Sequence, residues 1–241
     1  MIAARPYQWP HDGSFSPLTT ALVVIDMQND FCSEIGYLVH QGCSVASTRA
    51  VIPQIALLLT TFRQHAFPIF HTREGHRPDL STLSSRERFR SRNNPSGLGI
   101  GDPGPLGRFL VRGERGHDIV DELYPLDGEP VVDKPGRSAF AYTDFELLLK
   151  LRGIRNLVIC GVTTDVCVSS TMREANDRGY DCLLVEDATG AGVEDLHRAA
   201  VEMVQMEGGI FGAVASTTDI IEKIKILALT DKMTTDGVVS A

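Results

Sequence analysis

Three residues of this chain have side chains suited to covalent amide chemistry, and each follows an apolar run. Asp26 closes "TALVVID", Lys134 closes "VVDK", and Cys167 lies a few residues beyond "LVICG". The stretch "TTDVCVSSTMREANDRG" places Cys167 where a helix begins. There the positive end of the backbone dipole and unpaired N–H groups favour thiolate over thiol. The expectation is a lowered thiol pKa and a reactive sulfur. Lys134 can add positive charge, and Asp26 can take the thiol proton and later hand it to a leaving amine. Taken singly, each residue also has a structural reading: Asp26 as a cap, Lys134 as a charge on an edge strand, Cys167 as a small buried hydrophobe.

These residues must be positioned by strands and the turns that follow them. "TALVVID", "FPIFHTRE" and "NLVICGVTTD" are apolar, rich in β-branched residues, and end in acids at Asp26, Glu74 and Asp165. They read as buried parallel strands, with "VVDK" and "DCLLVED" as shorter ones. Between them "VIPQIALLLTTFRQHA" and "TDFELLLKLRG" have helical periodicity, the second stopping at Gly153. The alternation predicts an α/β fold, a doubly wound, mostly parallel sheet with helices on both faces. Ligands of such sheets sit beyond the carboxyl ends of the strands, where all three residues fall. Residues 78–116 are polar and rich in Arg, Gly and Pro, which predicts a long excursion serving as a lid or subunit contact. Within it "GIGDPG" matches a dinucleotide-binding pattern, but no strand precedes it and Pro103 and Pro105 remove donors, so it reads as a structural turn.

The 241 residues, 43% of them hydrophobic, suffice for one domain, predicted over 1–226 with a flexible C-terminal tail at 227–241. A net charge of −8 opposes binding to nucleic acid; the one basic cluster is Arg86, Arg88, Arg90 and Arg92. The N-terminal stretch lacks the apolar run of a secretory signal and no segment reaches transmembrane length, so a soluble cytoplasmic protein without membrane association is expected. Five scattered cysteines (Cys32, Cys43, Cys160, Cys167 and Cys182) without a CxxC pair indicate neither a disulfide framework nor a zinc cage. Cys160 and Cys182 lie inside strands and read as buried hydrophobes, whereas Cys32 and Cys43 stay undecided.

"ALVVIDMQNDF", "DKPGRSAF" and "GVTTDVCVSSTMREA" together resemble the three blocks of the isochorismatase-like cysteine hydrolases, in the family's order. The resemblance runs from about Tyr7 to Ile224. Within the family it leans toward biuret hydrolase and related ureido amidohydrolases, through "HTREGHRPDL", "GIGDPGPLGR" and "MVQMEGGIFG". It implies a three-layer sandwich with Asp26 as the proton-transfer carboxylate, Lys134 as the cationic partner and Cys167 as the nucleophile. It further implies a cis peptide between Val162 and Thr163 and an oxyanion hole formed by the backbone N–H groups of Thr163 and Cys167. The activity implied is cleavage of a terminal C–N bond in a small ureido compound through a thioester, with ammonia released.

Phe31 would be a pocket wall by resemblance or a core aromatic by type. Glu207 stands where biuret hydrolase carries a glutamine, which suits a ligand presenting N–H donors and disfavours one ending in a carboxylate; by type it could equally be an exposed helix-end glutamate. Arg73 and the Arg86–Arg92 run could instead serve an acidic substrate such as ureidoacrylate, or form a solvated face or oligomer contact, the reading favoured here. No cofactor is expected, and no metal, because the metal-holding histidines of the related nicotinamidases are missing and His71 and His76 are poorly spaced for a site. A homo-oligomer, dimer or tetramer, is expected by resemblance. Two other classes remain open: a redox-sensing thiol protein, which would want a resolving cysteine, and a catalytically silent ligand-binding relative.

Overall fold

The computed structural model describes residues 1–238, with side chains as far as Thr230. The strands are β1 (Thr20–Ile25), β2 (Ile69–Glu74), β3 (Pro103–Gly104), β4 (Gly107–Arg108), β5 (Val131–Lys134), β6 (Asn156–Val162), β7 (Asp181–Gly190) and β8 (Ala213–Ala215). The helices are α1 (Asn29–Cys32), α2 (Tyr37–His40), α3 (Ala46–Ala50), α4 (Ile52–Gln64), α5 (Ser85–Ser91), α6 (Phe145–Leu151), α7 (Ser169–Asp177), α8 (Glu194–Gln205) and α9 (Thr217–Val238).

Every residue of β1 is buried, and its side chains alternate between two separate cores. Leu22 and Val24 join Ile55, Leu58 and Phe62 of α4 and Ile220 and Ile224 of α9. Ala21, Val23 and Ile25 join Phe145 and Leu149 of α6 and Met172 and Ala175 of α7. A period-two strand buried on both faces needs a helical layer on each side, and this is why its sequence is apolar throughout. The result is the expected three-layer α/β sandwich.

The main sheet runs β5-β2-β1-β6-β7-β8, all parallel, and β3 and β4 form a separate hairpin. The chain winds outward from β1 through β2 to β5, then returns to β6 on the other side of β1. The direction of winding therefore reverses between β1 and β6, the place where such sheets leave a crevice beyond their carboxyl ends. Gly161 makes this junction tight: its φ is +108°, and a Cβ there would stand 2.1 Å from the Ile25 carbonyl oxygen. Only glycine lets β6 lie so close to the end of β1.

The excursion over residues 78–116 holds α5 and the β3–β4 hairpin. "GIGDPG" opens no helix: Asp102 accepts from the Gly99 N–H at 2.9 Å and from Arg92 Nε at 2.7 Å, which ties it down as a turn. α9 continues through most of the segment expected as a flexible tail, and Leu227 packs on the core beside α4; residues 239–241 of that segment lie outside the described residues. Among the described residues no helix is long and apolar enough to cross a membrane.

Candidate active site

Four neighbouring strands, β5, β2, β1 and β6, deliver their carboxyl ends to one place. Lys134 ends β5, Glu74 ends β2, Asp26 follows β1, and the turn after β6 brings Cys167. Asp26 takes a left-handed backbone, φ +49°, a conformation costing a non-glycine residue about 1 kcal/mol and frequent at functional sites. The Val162–Thr163 peptide is cis, and a π-helical turn, Thr164–Val168, carries Cys167 into α7.

The side chains converge. Lys134 Nζ lies 2.6 Å from Asp26 Oδ2 and 3.6 Å from Glu74 Oε2, with all three side chains buried. It also donates to the Gly136 carbonyl at 2.9 Å. Asp26 Oδ1 accepts from Thr72 Oγ1 at 2.6 Å, whereas Oδ2, despite its close ammonium, has no donor in hydrogen-bond alignment and keeps capacity for a proton. Cys167 Sγ donates to Glu74 Oε2 at 3.2 Å.

Asp26, Glu74 and Cys167 bring one ligand-type atom each within 4.8 Å of one another, a spacing compatible with a metal ion. The Lys134 ammonium already stands between the two carboxylates and supplies positive charge there.

Burial sets the protonation states. It pushes Asp26 above its ordinary value, only partly opposed by Lys134. For Glu74 burial acts in the same direction, but Lys134, Arg137 and the thiol hydrogen bond outweigh it and hold the carboxyl below its usual range. Lys134 also pays a burial penalty, outweighed by Asp26, Cys167 and Glu74, so its pKa rises and it stays an ammonium. The Cys167 thiol is raised well above 9.0 by burial, with Asp26 and Glu74 adding to the rise and Lys134 opposing it.

This overturns the expectation of a resting thiolate. The cysteine sits inside a tight π-turn rather than free at a helix start, it is 3% exposed, and two carboxylates face it against one ammonium. Cys160 and Cys182 are fully buried in the cores, as expected, and burial raises both; Cys32 is buried likewise and pushed up to about 12. Cys43 is half-buried, and all five thiols are free.

The structure thus brings together Asp26, Lys134, Cys167 and Thr163, and adds Glu74, which the sequence had marked only as a strand end. Gln28 fixes Glu74 in turn: its amide accepts from the Glu74 N–H at 2.7 Å and donates to the Glu74 carbonyl at 3.0 Å. The other candidates have the following surroundings. Phe31 is 7% exposed and packs edge-on against Tyr37 within the core cluster. Glu207 is exposed on a left-handed turn after α8, φ +52°. Arg73 is engaged by Asp133 and Asp118, and His71 by Glu129.

A family model described as the isochorismatase domain matches residues 20–219. The chain belongs to the isochorismatase family. It is 34% identical over 227 residues to the ureidoacrylate amidohydrolase RutB of Pantoea ananatis, covering 93% of this chain and 88% of that one. Against the enzyme of the same name from Azorhizobium caulinodans it is 35% identical over 221 residues, covering 91% and 94%. Its fold matches a cysteine hydrolase from Pseudomonas syringae pv. phaseolicola 1448A with a TM-score of 0.75 at 28% identity, over 90% of this chain and 96% of that one. This family member is an isochorismatase-like amidohydrolase, a hydrolase acting on C–N bonds. The Pantoea and Azorhizobium relatives are ureidoacrylate amidohydrolases rather than the biuret hydrolases toward which the sequence motifs lean.

Proposed function

We propose that this family member cleaves a terminal C–N bond of a small ureido compound, R–NH–CO–NH2, through a thioester on Cys167. The observation that carries the reading is the placement of Asp26 2.6 Å from an ammonium with a carboxylate oxygen within 4.8 Å of the Cys167 sulfur. A neutral thiol beside a carboxylate of raised pKa can exchange a proton with it at no change in net charge, so the nucleophile need exist only when a carbonyl is present to receive it.

In that scheme the Cys167 proton passes to Asp26 as Sγ bonds to the ureido carbon. The carbonyl oxygen becomes negative and accepts from the backbone N–H groups of Thr163 and Cys167. Asp26 then protonates the departing nitrogen, and ammonia leaves with the C–N bond electrons, giving a thioester. Water surrenders a proton to Asp26 and adds to the thioester; the sulfur departs and regains that proton. The sum is R–NH–CO–NH2 plus water giving R–NH–COOH and ammonia. Lys134 keeps its charge throughout and offsets that of Asp26 whenever it is ionised.

The sequence motifs favour biuret, and the names of the Pantoea and Azorhizobium relatives favour ureidoacrylate; both molecules contain the group the scheme attacks. The test is ammonia release across biuret, triuret, ureidoacrylate, N-carbamoyl acids and nicotinamide, with Cys167→Ser in parallel. Release from at least one ureide, reduced by several orders of magnitude in Cys167→Ser, is expected. Release that survives the substitution would remove Cys167 from the chemistry.

A further inference from the structure

The turn that carries Cys167 has few polar ties to the rest of the molecule. Within it, the Val166 and Val168 N–H groups both donate to the Thr163 carbonyl, at 3.1 and 3.2 Å. Outward from it, among the described residues, two side-chain hydrogen bonds run: Cys167 Sγ donates to Glu74 Oε2, and Thr164 Oγ1 lies 2.9 Å from His197 Nδ1. Asp165 adds no third, since its buried Oδ1 has no partner.

The reaction treats these two tethers differently. The Cys167–Glu74 bond depends on the thiol proton, and in the scheme above that proton leaves as Sγ bonds to carbon. Until the thioester is hydrolysed the sulfur has nothing to donate. The Thr164–His197 bond takes no part in the proton transfers, so it is then the one side-chain hydrogen bond left on the turn. In the same interval the carbonyl oxygen becomes negative and needs the N–H groups of Thr163 and Cys167 held in place.

His197 is anchored well enough for that task. It stands near the start of α8, and Val201 and Val204 of the same helix are buried in the core that also holds Cys167, Val168 and Met172. Thr164 is 1% exposed, so its hydroxyl has the ring nitrogen for a partner and little access to water. Beside Thr164, between α7 and α8, the free space is about 10 Å³, room for about one water. The pair therefore lies behind the turn rather than in a substrate's path.

Resting on the ureido-hydrolase reading, we infer that His197 is a positioning residue: through the Thr164 hydroxyl it holds the turn over residues 163–167, and with it the oxyanion donors, while the sulfur is bonded to carbon. It touches neither the substrate nor the sulfur.

The test compares acyl transfer with a reaction of the same thiol that builds no oxyanion. His197→Leu removes the ring nitrogen, and His197→Asn returns a nitrogen near the place of Nδ1. On a ureide that the wild type cleaves, His197→Leu should lower kcat at least about tenfold with KM changed less than about threefold, and His197→Asn should recover most of the loss. Thr164→Val removes the hydroxyl at nearly constant volume and should give a similar loss, with the double variant no worse than either single one. Alkylation of Cys167 by iodoacetamide, a displacement at saturated carbon, should stay within about twofold of the wild-type rate in every variant. Should His197→Leu fail to fold, Thr164→Val and its alkylation rate decide the matter. A kcat unmoved by either substitution, losses that multiply in the double variant, or alkylation that slows in step with kcat overturns the positioning role. The same variants are treated with 4-nitrophenyl acetate, which passes its acetyl group to Sγ and releases 4-nitrophenol. A wild type that is acetylated on Cys167 faster than His197→Leu, yet releases ammonia from no ureide, sinks the hydrolase reading and leaves the role of His197 standing. Ammonia release at the same kcat in both proteins does the reverse, and a wild type inert to the ester and to every ureide sinks both.

Discussion

Cys167 Sγ lies 3.2 Å from Glu74 Oε2 and donates to it, so the thiol proton points to a carboxylate at the end of β2 while the proposed base, Asp26, follows the neighbouring strand β1. Glu74 is itself held by two positive groups, Lys134 and Arg137, and by the amide of Gln28 on its backbone. Its negative charge adds to the burial that raises the Cys167 pKa.

Removing that charge should ease ionisation of the sulfur. Glu74→Gln retains an acceptor oxygen of similar shape but no longer repels the thiolate, so the pH dependence of Cys167 alkylation by iodoacetamide should move down by about one unit or more. Mass spectrometry of the Cys167 peptide distinguishes it from the half-buried Cys43. An alkylation profile that stays in place would show that the Glu74 contact has no electrostatic hold on the sulfur.

Asp26 should leave its mark on the acid side of the activity profile. Burial raises its pKa above 3.8, and the proposed chemistry needs the ionised form to receive the thiol proton. Turnover should therefore fall, as pH drops, through a value above the ordinary aspartate range. Asp26→Asn keeps the volume and cannot take a proton, so kcat should drop about 10²–10⁴-fold and this limb should vanish. Ammonia release measured across pH checks both parts; a limb that survives in Asp26→Asn belongs to another group.

The strand ends were legible because two-sided burial forces an uninterrupted apolar run, and the first polar residue after it must face the crevice. That logic located Asp26; Lys134 and Glu74 were legible only as the last residues of "VVDK" and "FPIFHTRE", where polar residues already precede them. Gln28 was harder to find, since its role depends on reaching across to the Glu74 backbone from a turn, a contact with no periodic signature. The state of Cys167 was misjudged because a dipole argument concerns one helix, whereas the pKa is set by burial and by carboxylates from two other strands. His197 carried no signal, since nothing in its spacing reveals that α8 brings its ring to the turn after β6.

The Lys134–Asp26 pair makes a separate demand on stability. Both side chains are fully buried, so Lys134→Met leaves the Asp26 carboxyl without its counter-ion and should destabilise the fold by about 3–5 kcal/mol, or force Asp26 to stay protonated. Adding Asp26→Asn removes the stranded charge and should recover much of the loss. Urea unfolding of the two single variants and the double variant measures the coupling; strictly additive losses would mean that the pair is not coupled in the folded state.

Asp30 provides a pH switch in stability away from the reaction. Its carboxyl is 1% exposed, accepts from the Leu110 N–H at 2.8 Å and the Tyr37 N–H at 3.3 Å, and so ties the return of the 78–116 excursion to α2. Burial raises its pKa to about 6, against the two backbone bonds, which act to lower it. Because the folded-state pKa is above the unfolded one, the folded protein keeps this proton over a window where the unfolded chain has lost it. The contribution is fully present below about pH 4 and is lost as pH rises toward about 6, at most about 3 kcal/mol in all. Asp30→Asn cannot titrate, so the wild type should lose stability relative to the variant as pH is raised from 4 to 6. Urea midpoints for both proteins at several pH values measure the difference; a wild-type minus variant gap that stays constant across this window would place the Asp30 pKa back in the ordinary range.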